Sequence, residues 1–222
     1  MSQHQIGEKL SILNLYAGIG GNRKLWPTAV KVDAVEINPE IAAIYAELYP
    51  GDKVIVGDAH EYLADHYAEF DFIWTSPPCQ SHSQVRHNLG VVGKHLNPIY
   101  PDMKLYQEII FLRANAKCPW VVENVKPYYP PLIEGKVVGR HMFWSNFPLP
   151  MDTRREVENI EFATITGLTE LYGIDIREYR LQNKRQVLRN CVDPKMGKAI
   201  LDAALSGTVQ QKLNLFNPGV EV

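Results

Sequence analysis

The chain has 222 residues, room for one compact domain with a small appendage. A hydrophobic fraction of 45% suffices for a packed core, while 22% charged residues and a formal net charge of −2 exclude a polycationic coating tail and an acidic disordered domain. No apolar run approaches about 18 residues, which argues against a membrane-spanning helix. The opening MSQHQIGEKL has no basic stretch followed by an apolar one, so no secretory leader is expected. Cys79, Cys118 and Cys191 cannot all pair, and none stands in a C-x-x-C metal spacing. A soluble, reduced, intracellular protein without a metal is the expectation.

The small net charge hides an asymmetry. Residues 1–80 carry 5 Lys+Arg against 11 Asp+Glu, a net −6, and the remainder is net +4. Arg177, Arg180, Lys184, Arg185 and Arg189 crowd one stretch with a single acid, Glu178. That pattern fits a phosphate-tracking surface and a solvated helix face equally well.

Along the chain, Ser11–Tyr16 reads as a buried strand followed at once by the glycine turn AGIGG. Val32–Ile37 reads as a second strand. Pro39–Tyr49 follows as a helix, with Ile41, Ile44, Tyr45 and Leu48 at helical spacing. Lys53–Val56 is a third strand, Ala59–Ala68 a helix, and Asp71–Thr75 a fourth strand ended by Pro77-Pro78. Ser81–Pro101 reads as a polar loop. Asp102 is placed to cap a helix over Met103–Lys117, with Leu105, Ile109 and Leu112 on one face. Trp120–Val122 makes a fifth strand, closed by Glu123. Lys136–Phe147 reads as one or two more strands, Pro148–Lys184 is weakly periodic, and Pro194–Leu205 is a terminal helix with a frayed tail beyond Ser206. Strand–helix alternation of this kind predicts an α/β fold with a doubly wound, mostly parallel sheet.

Ligands of such sheets bind beyond the carboxyl ends of the strands, so those ends carry the functional candidates. Gly18, Gly20 and Gly21 let the backbone turn tightly beside a ligand. Glu36, at the end of the second strand, suits ribose hydroxyls. Arg23 occupies the place of the third glycine of a dinucleotide fingerprint, which favours an adenosyl ligand without a pyrophosphate. Asp58 is placed to accept from an adenine amino group. Cys79, fixed by two prolines at the end of the fourth strand, points toward the crevice as a candidate nucleophile. Glu123 stands at the neighbouring strand end, where burial would hold a proton on its carboxyl. Cys118 and Cys191, beside apolar residues, read as small buried hydrophobes.

The blocks LNLYAGIGG, VEIN, GD, SPPCQ and VVENV, in this order and at these spacings, closely resemble the DNA cytosine-5 methyltransferases. GRHMFW looks like that family's arginine-bearing strand and RNCVDPKMGKAI like its closing segment. The resemblance covers roughly residues 11–147 and 187–205. It implies a sheet of the S-adenosylmethionine-dependent methyltransferase (Rossmann-like) type with a small target-recognition insert. The implied divisions are a catalytic core at 1–147, a reduced recognition region at 148–186 and a closing segment at 187–222.

By the same resemblance, Tyr16, Gly18, Gly20, Gly21, Glu36, Ile37, Asp58, Pro78, Asn190 and Val192 would hold S-adenosylmethionine. Cys79 would add to C6 of a flipped cytosine, Glu123 would grip N3 and the exocyclic amine, and Arg140 would steady the base and that carboxylate. Gln80, with Ser83 and Arg86 of the Ser81–Pro101 loop that would close on the DNA, and Arg177, Arg180, Lys184 and Arg185 would meet double-stranded DNA. Gly90 and Gly93 would serve as hinges.

Three positions depart from the family pattern. Arg189 stands where glycine is usual, Cys191 where a small residue is usual, and Asp193 precedes Pro194. The short space for recognition predicts a short or degenerate target. A monomer in the cytoplasm of a bacterium or of a phage-infected cell is expected, because the compactness resembles that of mobile-element enzymes protecting DNA from restriction. Two alternatives stand beside this reading: a cytosine-5 methyltransferase acting on tRNA, and a non-catalytic DNA-binding protein keeping the fold. An amino-methyltransferase would carry an aromatic residue in place of Cys79.

Overall fold

In the computed structural model the described residues are 9–150 and 163–216. Seven strands form one sheet: β1 (Ser11–Leu15), β2 (Lys31–Glu36), β3 (Lys53–Val56), β4 (Phe72–Thr75), β5 (Trp120–Val125), β6 (Lys136–Val138) and β7 (His141–Ser145). Their spatial order is β3-β2-β1-β4-β5-β7-β6. The first five run parallel, while β7 lies antiparallel to β5 and β6 antiparallel to β7. The chain reverses its winding between β1 and β4, so a crevice opens beyond their carboxyl ends.

Near-continuous apolar runs make the central strands, because helices cover both of their faces. On one face Leu13, Leu15, Ile73 and Val122 pack with Leu63 of α2 (Ala59–His66) and with Leu105, Ile109 and Leu112 of α3 (Lys104–Asn115). On the other, Ile12, Phe72, Trp74 and Val121 meet Met196, Ile200 and Leu201 of α6 (Pro194–Phe216). The helix after β2, α1 (Pro39–Leu48), starts where Asn38 accepts from the amides of Glu40 and Ile41 and Pro39 fills the first turn.

The structure corrects several boundaries. β5 runs through Val125, so Glu123 lies inside the strand, paired opposite Phe143, rather than closing it. Arg140 sits in the turn joining β6 to β7, beside Gly139 at φ +59, and not in a strand. The supposed loop after Cys79 contains a wide helical turn over Arg86–Val92. The weakly periodic region contains α4 (Ile165–Tyr172), capped by Thr164 and ended by Gly173 at φ +62, and α5 (Lys184–Arg189). Residues 151–162 of that region lie outside the described residues. The terminal helix does not fray at Ser206 but continues to Phe216.

Candidate active site

The loop after β1 bends back on itself, with Tyr16 at φ +55 and Gly18 at φ +54. A Cβ on Gly18 would meet nothing within 4 Å, so this backbone faces open space. At Gly21 a Cβ would stand 2.6 Å from the carbonyl oxygen of Val192, so only glycine lets the closing segment pack on this loop. Glu36 turns back toward the loop and accepts from the amides of Gly18 and Asn38, each at 2.9 Å. Its carboxylate keeps lone pairs for further donors. Ile37 next to it is 67% exposed yet lines the same cavity, an apolar face without a protein partner to cover it.

That cavity, about 230 Å³, is bordered by Tyr16, Gly18, Gly21, Glu36, Ile37, Pro78, Cys79, Glu123, Arg140, Asn190 and Val192. An acid beside exposed backbone amides and an uncovered apolar face are what the ribose and base of an adenosyl group require, so these residues fit one. Gly20 turns the loop, its carbonyl accepting from the Tyr49 hydroxyl at 2.7 Å, without bordering the cavity. Asp58 does not border it either: it caps α2 through the amide of His60 and pairs with Lys104 at 3.1 Å.

A second, open groove of about 770 Å³ meets the cavity at Cys79, Gln80, Val125, Arg140, Arg189 and Asn190. Ser83, Arg86, Lys126, Asn183, Arg185 and Gln186 line it further out, and among the described residues that line it there is no Asp or Glu. Arg177, Arg180 and Lys184 are not brought to it. Arg177 instead holds Asp175 at 2.6 Å and takes Lys184 on its carbonyl.

Cys79 stands where cavity and groove join, on a loop whose Pro77 carbonyl is held by the Asn124 side chain at 2.9 Å. Burial pushes the Cys79 thiol up to about 11, with the Glu123 carboxylate adding to the shift and Arg140 and Arg189 opposing it. Burial likewise pushes Glu123 up to about 7, against a hydrogen bond from Ser76 and the charge of Arg140. Near pH 7 Cys79 therefore rests as the thiol, while the Glu123 carboxyl is close to its midpoint. Arg140 donates to the carbonyls of Arg189 and Cys191 at 2.9 and 3.1 Å, tying the closing segment to the site.

Two neighbours stand closer to the chemistry than the sequence places them: His141, to which it assigns no role, and Arg189, which it shows only within the basic stretch and as a departure from the closing block. His141 Nε2 stands 3.5 Å from Glu123 Oε1, in β7 opposite Val125, and its place next to Arg140 in the GRHMFW block was the available signal. Arg189 borders both cavity and groove with its Nε buried and without a hydrogen-bond partner. Its place where glycine was expected was the available signal. Cys191 is buried, as the sequence suggested, and Cys118 half-buried.

The sequence profile of the C-5 cytosine-specific DNA methylase family matches residues 10–129, more than half of the chain. The chain belongs to that family. The methyl donor of this family is S-adenosylmethionine, and the seven-stranded, mostly parallel sheet is of the S-adenosylmethionine-dependent methyltransferase type. Among solved structures it is similar to a SAM-dependent methyltransferase from Agrobacterium tumefaciens, with 16% identity and a TM-score of 0.41 over 56% of this chain and 41% of that one. It is also similar to a DNMT2 triple mutant from Spodoptera frugiperda, with 25% identity and a TM-score of 0.35 over 53% of this chain and 36% of that one. No curated protein matches the chain. Among the described residues no group of His, Cys, Asp or Glu is arranged to hold a metal ion, and no helix is long and apolar enough to cross a membrane.

Proposed function

We propose that the chain methylates C5 of cytosine in double-stranded DNA, on a nucleotide turned out of the duplex into the junction of cavity and groove. The observation that carries this reading is the position of Cys79, shared by an adenosyl-shaped cavity and a groove lined by Arg86, Arg140, Arg185 and Arg189, with Glu123 buried beside it. C5 and C6 are inaccessible within a stack, so eversion is required, at a cost of a few kcal/mol. The Cys79 sulfur forms a bond to C6, and the C5–C6 π pair moves onto C5 as N3 takes the Glu123 proton. When bound, S-adenosylmethionine supplies a methyl group on a positively charged sulfur, which C5 accepts as that sulfur recovers the bonding pair. Loss of the C5 proton to a base rebuilds the double bond and expels Cys79 as its thiolate, and N3 returns its proton to Glu123. Arg140 and Arg189, which favour the thiolate, help the addition.

Recognition follows from where residues 163–189 pack. Leu168, Tyr172, Ile174 and Ile176 join Ile19, Ile44, Leu188 and Cys191 in one apolar cluster, which fastens this region to the donor side. What it offers the groove is narrow: Asn183, Arg185, Gln186 and Arg189, opposite Gln80, Ser83, Gln84 and Arg86. Amide side chains read base edges and the arginines neutralise phosphates, so a short or degenerate target is the reading we hold for the 148–186 region. Bisulfite sequencing of a treated random-sequence duplex library tests both points. A fully specified six-base target would contradict the second, and methylation of tRNA but not duplex DNA the first.

A further inference from the structure

Glu108 is 1% exposed and takes no part in the chemistry above. It stands on α3 among Leu105, Ile109 and Leu112, a carboxylate inside an otherwise apolar face. Three donors from three different segments, a loop, a strand end and a helix, converge on it. The Tyr16 hydroxyl reaches Oε1 at 2.6 Å, the Thr75 hydroxyl reaches Oε2 at 2.6 Å, and His60 Nδ1 lies 3.0 Å from Oε1. Tyr16 directly follows β1 and borders the donor cavity. Thr75 ends β4, four residues before Cys79. His60 is in the first turn of α2, whose cap Asp58 pairs with Lys104, one helical turn before Glu108 on α3.

We propose that Glu108 is a positioning residue for methyl transfer, a single buried carboxylate that sets the donor loop and the cysteine loop in one register. The inference rests on the function proposed above and adds how its two halves are held together. A buried carboxylate is costly unless its lone pairs are filled by good donors, and here two of the donors, Tyr16 and Thr75, sit on segments that must be placed for the reaction. Tyr16 also holds a left-handed backbone that a tyrosine adopts rarely, and its bond to Glu108 is the tether opposing relaxation. The groups facing this cluster are the neutral Tyr16 and Thr75, the titratable His60, and the charged Lys104, Asp58 and Asp102.

The tether has two arms that are separable by removing one hydroxyl each. In the full chain, Tyr16→Phe raises the calorimetric Kd of S-adenosylmethionine about fivefold and changes donor-free tritium release from [5-³H]cytosine DNA by less than twofold. Thr75→Val does the reverse, slowing tritium release about fivefold with the donor Kd within twofold. Glu108→Gln moves both. Tritium release without donor reports Cys79 addition alone, because the adduct exchanges its C5 hydrogen with water. Any other pattern overturns the proposal, whether single-hydroxyl variants that move neither quantity or variants that each move both together, as general loosening would. A wild-type chain that binds donor but releases no tritium would contradict the proposed function, while the Tyr16→Phe arm would still test the tether by calorimetry.

Discussion

The donor cavity and the groove share a border but differ in how their polar groups are satisfied. On the donor side the acids are engaged: Glu36 by two backbone amides, Glu108 by three side chains, and Asp52 by Arg23 at 2.7 Å and by Tyr45 at 2.9 Å. On the groove side, among the described residues, no acid lines the surface and the buried Nε of Arg189 has no partner. Cys79 stands on the border and feels both, raised by Glu123 and lowered by Arg140 and Arg189.

Breaking the border itself has the largest expected effect. Glu123→Gln should slow donor-free tritium release about 10²- to 10⁴-fold, the range for loss of a positioned acid. The same assay gives the pH dependence. Addition needs one proton on the Cys79–Glu123 pair, placed on the carboxyl, and the pair loses its first proton near 7 and its second near 11. The rate should therefore be flat between these limits and fall about tenfold per pH unit below 7, where both groups are protonated. A rate that keeps rising as the pH drops below 7 would show that thiol ionisation is not limiting. Glu36→Ala should raise the donor Kd about tenfold, the loss of a charged hydrogen-bonding partner, with DNA affinity unchanged within twofold by fluorescence anisotropy. Arg185→Ala should weaken DNA binding about threefold and reduce the salt slope by about one, with donor Kd unchanged. Arg177→Ala, whose guanidinium faces Asp175 away from the groove, should alter DNA affinity by less than twofold. Equal effects of Arg177→Ala and Arg185→Ala would erase the distinction between groove and general basic surface.

Much of the donor side was legible because its residues sit at strand ends, where β-rich runs stop and small or polar residues begin. Strands β1 to β4 and helix α1 follow their sequence patterns to within a residue or two at each end. Glu108 was also legible in principle: a carboxylate between Leu105 and Ile109 breaks the apolar face that those residues otherwise draw. Its partners were not, because Tyr16, His60 and Thr75 meet only through the sheet order β2-β1-β4. The groove side was harder. Arg140 was recognised by its block, but its place in a turn depends on Gly139 at positive φ. The basic stretch 177–189 reads as one surface in sequence, yet the turn before α5 and the Arg177–Asp175 pair point its first members elsewhere. The packing of α4 on Ile19 and Ile44 involves contacts across more than a hundred residues, which no local pattern encodes.

The claim on which the rest depends is that the Cys79 sulfur bonds to a cytosine ring while Glu123 protonates it. Intact mass spectrometry of the chain with S-adenosylmethionine and duplex DNA containing 5-fluorocytosine tests this directly, since fluorine at C5 blocks the final elimination. The account predicts one covalent DNA adduct per chain, mapped to the peptide carrying Cys79 and lost in Cys79→Ala. An adduct that persists in Cys79→Ala, or a wild-type chain that turns over donor on this DNA without any adduct, would contradict it.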